Sequence, residues 1–294
     1  MSQYTLKRNP DYGFYHIDPT PTPAEIAQYY AREFYSGDYP KLNDSSMEVQ
    51  IEDKEFYDSH REDICESIGT ILGKPLKGLK ILDIGCGWGQ ALLYFKNKGM
   101  DCYGFDPAPE AVEYGRKRGL NNLILAGLDT MNVFKQRFDV VTLLNVLEHL
   151  ADPVGILDEI KKHVLMPGGL VIIDVPNEFN PLQTAGQKLH GLDEWWVSPP
   201  GHLNYFSKDT ICNLLEGNGF RVKLAESSFP LEMFLLFGRN YVKDSALGRQ
   251  SHKERVNFEL NLRKHAGTHV LRKLYQALAD LNIGRQVLVF AVSE

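Results

Sequence analysis

Between Lys80 and Pro176 short apolar runs alternate with segments of helical period, and no other feature of the chain narrows its fold as far. The runs are KILDIG, DCYGFD, LILAG, FDVVTLLNV and GGLVIIDVP; between them lie ALLYFKNKG, PEAVEYGRKRG and PVGILDEIKKHV. Strands that are apolar on both faces and separated by helices form a parallel sheet covered on both sides. A helix over SKDTICNLLEGNGF, stopped by Gly217 and Gly219, leads to a sixth strand, RVKLAESSF. A seventh run, RQVLVFAVSE, has no helix after it, so it fits antiparallel beside the sixth.

The flanks read differently. Residues 1–24 are rich in Pro and Tyr and predict an extended arm. TPAEIAQYYAREFYS follows as a capped helix, with Thr22 as N-cap, Pro23 at the first position and Glu25 at the third. EFYDSHREDICESIGTILG carries a second helical period that ends at Gly73, and the stretch from Pro230 to Gly284 is mostly helical. The expected organisation is an arm and helical cover over 1–75, a core over 76–229, a helical insertion over 230–284 and a last core strand over 285–294.

With 43% hydrophobic and 24% charged residues, 294 residues suffice for a buried core in a soluble protein. A net charge of −6 argues against a nucleic-acid partner. Cys65, Cys86, Cys102 and Cys212 include no C-x-x-C pair, which fits a reducing cytoplasm and supplies neither a disulfide nor a metal framework. The first residues lack the apolar core of a signal peptide, and no stretch approaches the roughly 20 apolar residues of a membrane span.

The bend after the first core strand narrows the chemistry. ILDIGCGWGQ places Gly85, Gly87 and Gly89 directly before a helix, where a missing Cβ lets a ligand lie against the backbone. A dinucleotide fingerprint requires a glycine where this chain has Gln90. Asp83 stands before the glycines, and Asp106 ends the second strand 106 − 83 = 23 residues later. A tight turn with Asp106 as a helix N-cap before Pro107 is the alternative reading.

The ordered set D-x-G-x-G-x-G, the acid of YGFDPAPEAVEYGRKRG and the PGG turn resembles the class I S-adenosylmethionine-dependent methyltransferases over about Leu76 to Phe229 plus the last strand. The resemblance implies an α/β, Rossmann-like seven-strand mixed sheet with the last strand antiparallel. It implies S-adenosyl-L-methionine as donor and S-adenosyl-L-homocysteine as product. Gly85, Gly87, Gly89 and the backbone around Cys86 would lie against the methionine part, with Asp83 anchoring the loop. Asp106 would take the ribose hydroxyls, Pro107 or Ala108 would flank the adenine, and Leu128 and Asp129 would lie at the adenine edge. Asn145 would stand near the sulfonium.

A sulfonium is already electrophilic, so what remains is to position the acceptor and remove its proton. His149, after the fourth strand, and His202, after the fifth, are the candidate bases. GLDEWWVSPPGHLNYFS offers Trp195, Trp196 and Tyr205 as acceptor-binding faces, or else as a loop sealing the sheet edge. Tyr29, Tyr30, Phe34 and Tyr35 form an aromatic helical stripe suited to packing or to a lid. Glu148 and His149 resemble the E-x-x-E-H ligands of ubiquinone-pathway O-methyltransferases, but Asn145 replaces the first Glu, so no metal is expected. Arg249, His252, Lys253 and Arg255 are candidate groups for an anionic acceptor, or a solvated helix face.

The arm and the C-terminal extension resemble methyltransferases encoded among polysaccharide and antibiotic genes, although the C-x-x-C-G of that arm is missing here. The expected function is therefore methyl transfer to a small molecule, at a hydroxyl of a sugar or polysaccharide precursor. The alternatives are N- or C-methylation, a protein methyltransferase, or a non-catalytic donor-binding module. A nicotinamide-dependent oxidoreductase is disfavoured by Gln90.

Overall fold

The computed structural model describes residues 4–22, 25, 47–128 and 130–294. Its centre is a seven-stranded sheet built from β3 (Lys80–Ile84), β4 (Asp101–Asp106), β5 (Leu123–Leu125), β6 (Phe138–Leu144), β7 (Leu165–Pro176), β9 (Phe220–Ser227) and β10 (Gln286–Ser293). The strand order is β5-β4-β3-β6-β7-β10-β9. The first five strands run parallel, while β10 slots between β7 and β9 antiparallel to both. The last strand therefore lies beside the sixth as expected, and it also closes onto the fifth core strand.

The two-sided hydrophobicity of the strands is used on both faces. Leu82, Ile84, Val141, Leu143, Val171 and Ile173 pack against α5 (Pro153–Glu159) and α7 (Lys208–Gly217). The alternate residues Ile81, Val140, Leu170 and Ile172 pack against α2 (Lys54–Leu72), α3 (Gln90–Asn97) and α4 (Pro109–Lys117). This period-2 division, with helices on each side, is what fixes register in a buried sheet. The strand β7 begins earlier than GGLVIIDVP implies: Leu165 pairs with Phe138, exposed residues 166–168 bulge out through the PGG turn, and pairing resumes at Leu170↔Val140.

Two further features depart from the sequence expectation. The arm is extended, but it is a hairpin of β1 (Thr5–Arg8) and β2 (Tyr15–Asp18), joined by β8 (Asn204–Tyr205) into a second sheet. Asn9 Oδ1 accepts from the Asp11 and Tyr12 amides, an Asx-type turn that reverses the chain. A helix absent from the sequence reading, α6 (Pro181–His190), starts from a capping box of Asn180 and Gln183. Short and polar, it lacks the long apolar period by which the other helices announce themselves.

Thr22 and Glu25 make the reciprocal bonds of a capping box, as predicted. Pro23, Tyr29, Tyr30, Phe34, Tyr35 and Asp129 lie outside the described residues. A short α1 (Met47–Glu52) precedes α2. The C-terminal stretch forms α8 (Glu232–Leu236), α9 (Ser245–Ala266) and α10 (Thr268–Asp280). α9 and α10 are fastened to α2 and β9 by buried polar contacts: Arg263 is bidentate on Asp63, His60 and Arg255 meet Glu259, and Arg272 meets Glu226.

Candidate functional site

The donor side begins at the carboxyl end of β3. Gly85, Gly87 and Gly89 all take left-handed φ values, of 65°, 49° and 71°, which side chains other than glycine rarely adopt. A Cβ on Gly85 would stand 2.7 Å from Val146 Cγ2 and 3.4 Å from Leu128 Cδ2, so the bend, Leu128 and the exit of β6 converge here. A Cβ on Gly89 would collide with Leu120, because Gly89 is where α3 packs down onto α4. Around Gly87 no described residue comes within 4 Å of that position, so its backbone faces open space. The amides of Gly85 and Cys86 are both committed to the Phe105 carbonyl. The Cys86 side chain is buried beneath the loop, which leaves only its backbone on the ligand side.

Two carboxylates brace this bend. Asp83 is buried and accepts from Thr142 Oγ1 at 2.6 Å; burial pushes its carboxyl up to about 7. Asp106 Oδ2 accepts from the Gly87 amide at 2.8 Å, and Oδ1 from the Ala108 amide at 2.9 Å. Asp106 therefore clamps both the glycine loop and the turn that leads into α4, but it is not that helix's N-cap, which is Ala108. Each carboxylate oxygen has a further lone pair, so these bonds are compatible with accepting from a ligand hydroxyl as well. Pro107 sits between these anchored residues, half-buried.

On the acceptor side, Asn145 leaves β6 with φ 56° and its amide donates to the Asp174 carbonyl at 2.8 Å. The turn continues into Glu148, which is buried with Oε2 unpartnered, and His149. His149 Nδ1 lies 2.6 Å from the Gly201 carbonyl. A carbonyl can only accept, so Nδ1 carries the hydrogen and Nε2 the lone pair. His202 packs edge-on to it, with ring centroids 5.0 Å apart. Burial lowers the first ring to about 4 and the second to about 3, so both are neutral at physiological pH and weakly basic.

The aromatic segment divides. Tyr205 is a core residue of the small sheet, and its hydroxyl is committed to the His202 carbonyl and the Ser198 amide. The expected acceptor-binding role of Tyr205 is therefore not assembled, because its polar tip is already satisfied and its ring is buried. Trp196 is also buried, edge-on to Phe179 and Trp195, but its Nε1 finds no partner among the described residues. Trp195 is half-buried at the rim.

Of the basic groups, His252 meets Asp53, Lys253 meets Glu52 and Arg255 meets Glu259, so carboxylates already answer three of the four. Arg249 is exposed. Although no metal was expected, Glu148, His149 and His202 each offer one ligand atom, all within 4.8 Å of one another.

Two residues that sequence reasoning missed are Asp174 and Glu178. Asp174 Oδ1 is shielded and unpartnered, while Asn145 bonds the same carboxyl. Glu178 is buried and accepts from Gln183 Nε2. Burial pushes both carboxyls up to about 7. The signal was present in IIDVPNE, where acids interrupt an otherwise apolar run.

A parallel sheet whose last strand alone is reversed, with a glycine bend and an acid at the tips of its adjacent strands β3 and β4, defines a Rossmann-like, class I S-adenosylmethionine-dependent methyltransferase fold. A family profile described as "Methyltransferase domain" matches residues 57–224, and the chain belongs to that family. Curated relatives include ubiquinone biosynthesis O-methyltransferases of Xylella fastidiosa (strain 9a5c), 32% identical over 109 residues, and of Azorhizobium caulinodans, 37% identical over 109 residues. These matches cover 35% of this chain in both cases, and 44% and 43% of the two relatives. The chain thus spans under half the length of the curated relatives it matches. Among solved structures, the plantazolicin methyltransferase BamL, in complex with a triazolic desmethylPZN analog and SAH, aligns with TM-score 0.56 at 14% identity, over 92% of this chain and 94% of that one. The related BpumL, in complex with SAH and a monoazolic analog, aligns with TM-score 0.55 at 17% identity over the same shares of the two chains. At such identities the likeness concerns the fold.

Proposed function

We propose that this chain transfers the methyl group of S-adenosylmethionine to a hydroxyl oxygen of a small polyhydroxylated molecule, a sugar or polysaccharide precursor. One observation carries the reading. The acceptor side holds polar atoms that find no partner among the described residues: Trp196 Nε1 can donate, Glu148 Oε2 and Asp174 Oδ1 can accept, and His202 Nδ1 can do either according to its tautomer. Buried polar atoms without partners cost stability and are rare in native proteins. Hydroxyl groups both donate and accept, so a polyol satisfies such a mixed set better than a flat apolar ring does.

The donor would lie over the glycine bend, with Asp106 receiving the ribose hydroxyls and Pro107 and Leu128 flanking the adenine. His149 and His202, neutral at physiological pH, would orient the acceptor by hydrogen bonding. The names of the curated relatives support methylation at oxygen. Among the described residues no helix is long and apolar enough to cross a membrane, and the four cysteines are unpaired, which supports a cytoplasmic placement.

The test is S-adenosylhomocysteine formation with UDP-glucose, UDP-N-acetylglucosamine, GDP-mannose and catechol, each at equal concentration. Turnover on a sugar nucleotide at least tenfold above catechol is expected. Turnover on catechol alone would replace the polyol reading with a phenolic one, and methylation only of amines would end the oxygen reading.

A further inference from the structure

The geometry points to Asp174 as the proton acceptor for the methyl-accepting hydroxyl, with Asn145 holding its carboxylate in place. The inference rests on the proposal that the acceptor atom is a hydroxyl oxygen.

Three placements support it. Asp174 sits near the carboxyl end of β7, a central strand, in the row Leu144↔Asp174↔Leu288. Its neighbours on the same face of β7, Leu170 and Ile172, are fully buried apolar residues, so packing alone would favour another aliphatic side chain there. Asn145 then doubles back in a left-handed turn, tying the tip of β6 to Asp174 through both its amide and its side chain. That turn is where the family resemblance puts the sulfonium. Among the described residues Oδ1 finds no hydrogen-bond partner, and the residue as a whole is half-buried rather than enclosed.

The charged groups facing Asp174 are few. Arg255, on α9, stands on its side and favours the ionised form. Arg255 is itself fixed, with Nε on Glu259 Oε1 at 3.1 Å and its guanidinium over the Phe56 ring. Glu148, from the turn after β6, is pushed well above the usual carboxylate range by burial and, to a lesser degree, by the Asp174 charge, so it keeps its proton and adds no charge of its own. The row neighbours Leu144 and Leu288 are apolar. Burial outweighs the Arg255 charge, so the carboxyl titrates at about 7, where a general base works best. The two histidines, lowered to about 4 and 3, are much weaker bases.

In the step, a lone pair of the acceptor oxygen forms a bond to the donor methyl carbon. The acceptor O–H bond breaks, and its proton passes to the Asp174 carboxylate. The methyl carbon–sulfur bond breaks with its electron pair going to sulfur, so the sulfonium becomes the neutral thioether of S-adenosylhomocysteine. The proton leaves Asp174 to water after product departs.

The experiment compares wild type with Asp174→Asn and Asp174→Glu, on whichever of the four hydroxyl compounds the wild type methylates fastest, between pH 5.5 and 9. Asp174→Asn is expected to lower kcat at least 100-fold and to remove an acidic limb centred near pH 7, while calorimetry shows S-adenosylmethionine affinity within twofold of wild type. Asp174→Glu should restore part of kcat together with a limb. Retention of kcat within threefold, or an unchanged limb in Asp174→Asn, overturns the assignment. Independently of any acceptor, the carboxyl carbon resonance lost in Asp174→Asn should titrate near pH 7 in aspartate-labelled wild type; a midpoint below 5 also overturns it. Methylation of an amine rather than any hydroxyl compound would instead defeat the oxygen reading, and the resonance would still report on Asp174.

Discussion

The two halves of the site treat their buried carboxylates in opposite ways. On the donor half, Asp83 and Asp106 are answered from within the fold, by the Thr142 hydroxyl and by the amides of Gly87 and Ala108. On the acceptor half, Glu148 and Asp174 each keep an oxygen, and Trp196 and His202 each keep a ring nitrogen, with no partner among the described residues. The first half is preorganised by short-range chain geometry. The second is assembled from turns and helices far apart in sequence, and its polar groups match a ligand better than they match one another.

The largest effect is expected from the ion pair that fastens α9, the helix that carries Arg255, to α2. Asp63→Ala strands the Arg263 guanidinium between α2 and α9, and losing one partner of a buried pair costs about 3–5 kcal/mol. Urea denaturation should show that loss, and the acceptor KM should rise more than the donor Kd does. Equal effects on both would mean that the halves are not separate.

Asp106→Ala is the matching test of the donor half. It removes charge-assisted bonds to two amides and the proposed ribose contact, worth about 1.5–3 kcal/mol each. Donor affinity measured calorimetrically should fall at least tenfold, with little change in acceptor KM at saturating donor. Unchanged affinity would remove Asp106 from the donor site.

Gly85→Ala should cost about 1–3 kcal/mol, since it combines a left-handed φ with a Cβ 2.7 Å from Val146 Cγ2. Adding Val146→Ala should recover the steric part, leaving the backbone part. A thermal melt of the two variants separates these contributions, and no recovery would mean that the collision is unimportant.

The smallest effect expected is pH-dependent. Asp83 titrates at about 7 when folded and at about 3.9 when unfolded, so its favourable contribution is full below about pH 4 and is lost as pH rises through 7. The Thr142 hydroxyl offsets that loss by donating to the ionised form. Thr142→Val should therefore cost about 1.5–3 kcal/mol at pH 8.5, where the bond is charge-assisted, but only about 0.5–1.5 at pH 5.5. Denaturation at the two pH values decides it, and a penalty independent of pH would show that Asp83 does not ionise in this range.

Much of the donor half was legible in the sequence, because bends and strand ends depend on neighbours a few residues away. The glycines at 85, 87 and 89 require left-handed backbone wherever they stand, and acids at 83 and 106 fall at the ends of strands that apolar runs already mark. The reversal of β10 was legible too, since a strand without a following crossover helix has an antiparallel place to take. The acceptor half was legible only in its cast. That Tyr205 is satisfied in the small sheet while Trp196 is not, that His149 is tied to Gly201, and that Arg255 from α9 faces Asp174, were decided by tertiary packing. Side-chain partners there are separated by tens of residues in sequence, and burial, which sets whether a carboxyl or imidazole holds its proton, is a property of the assembled fold alone.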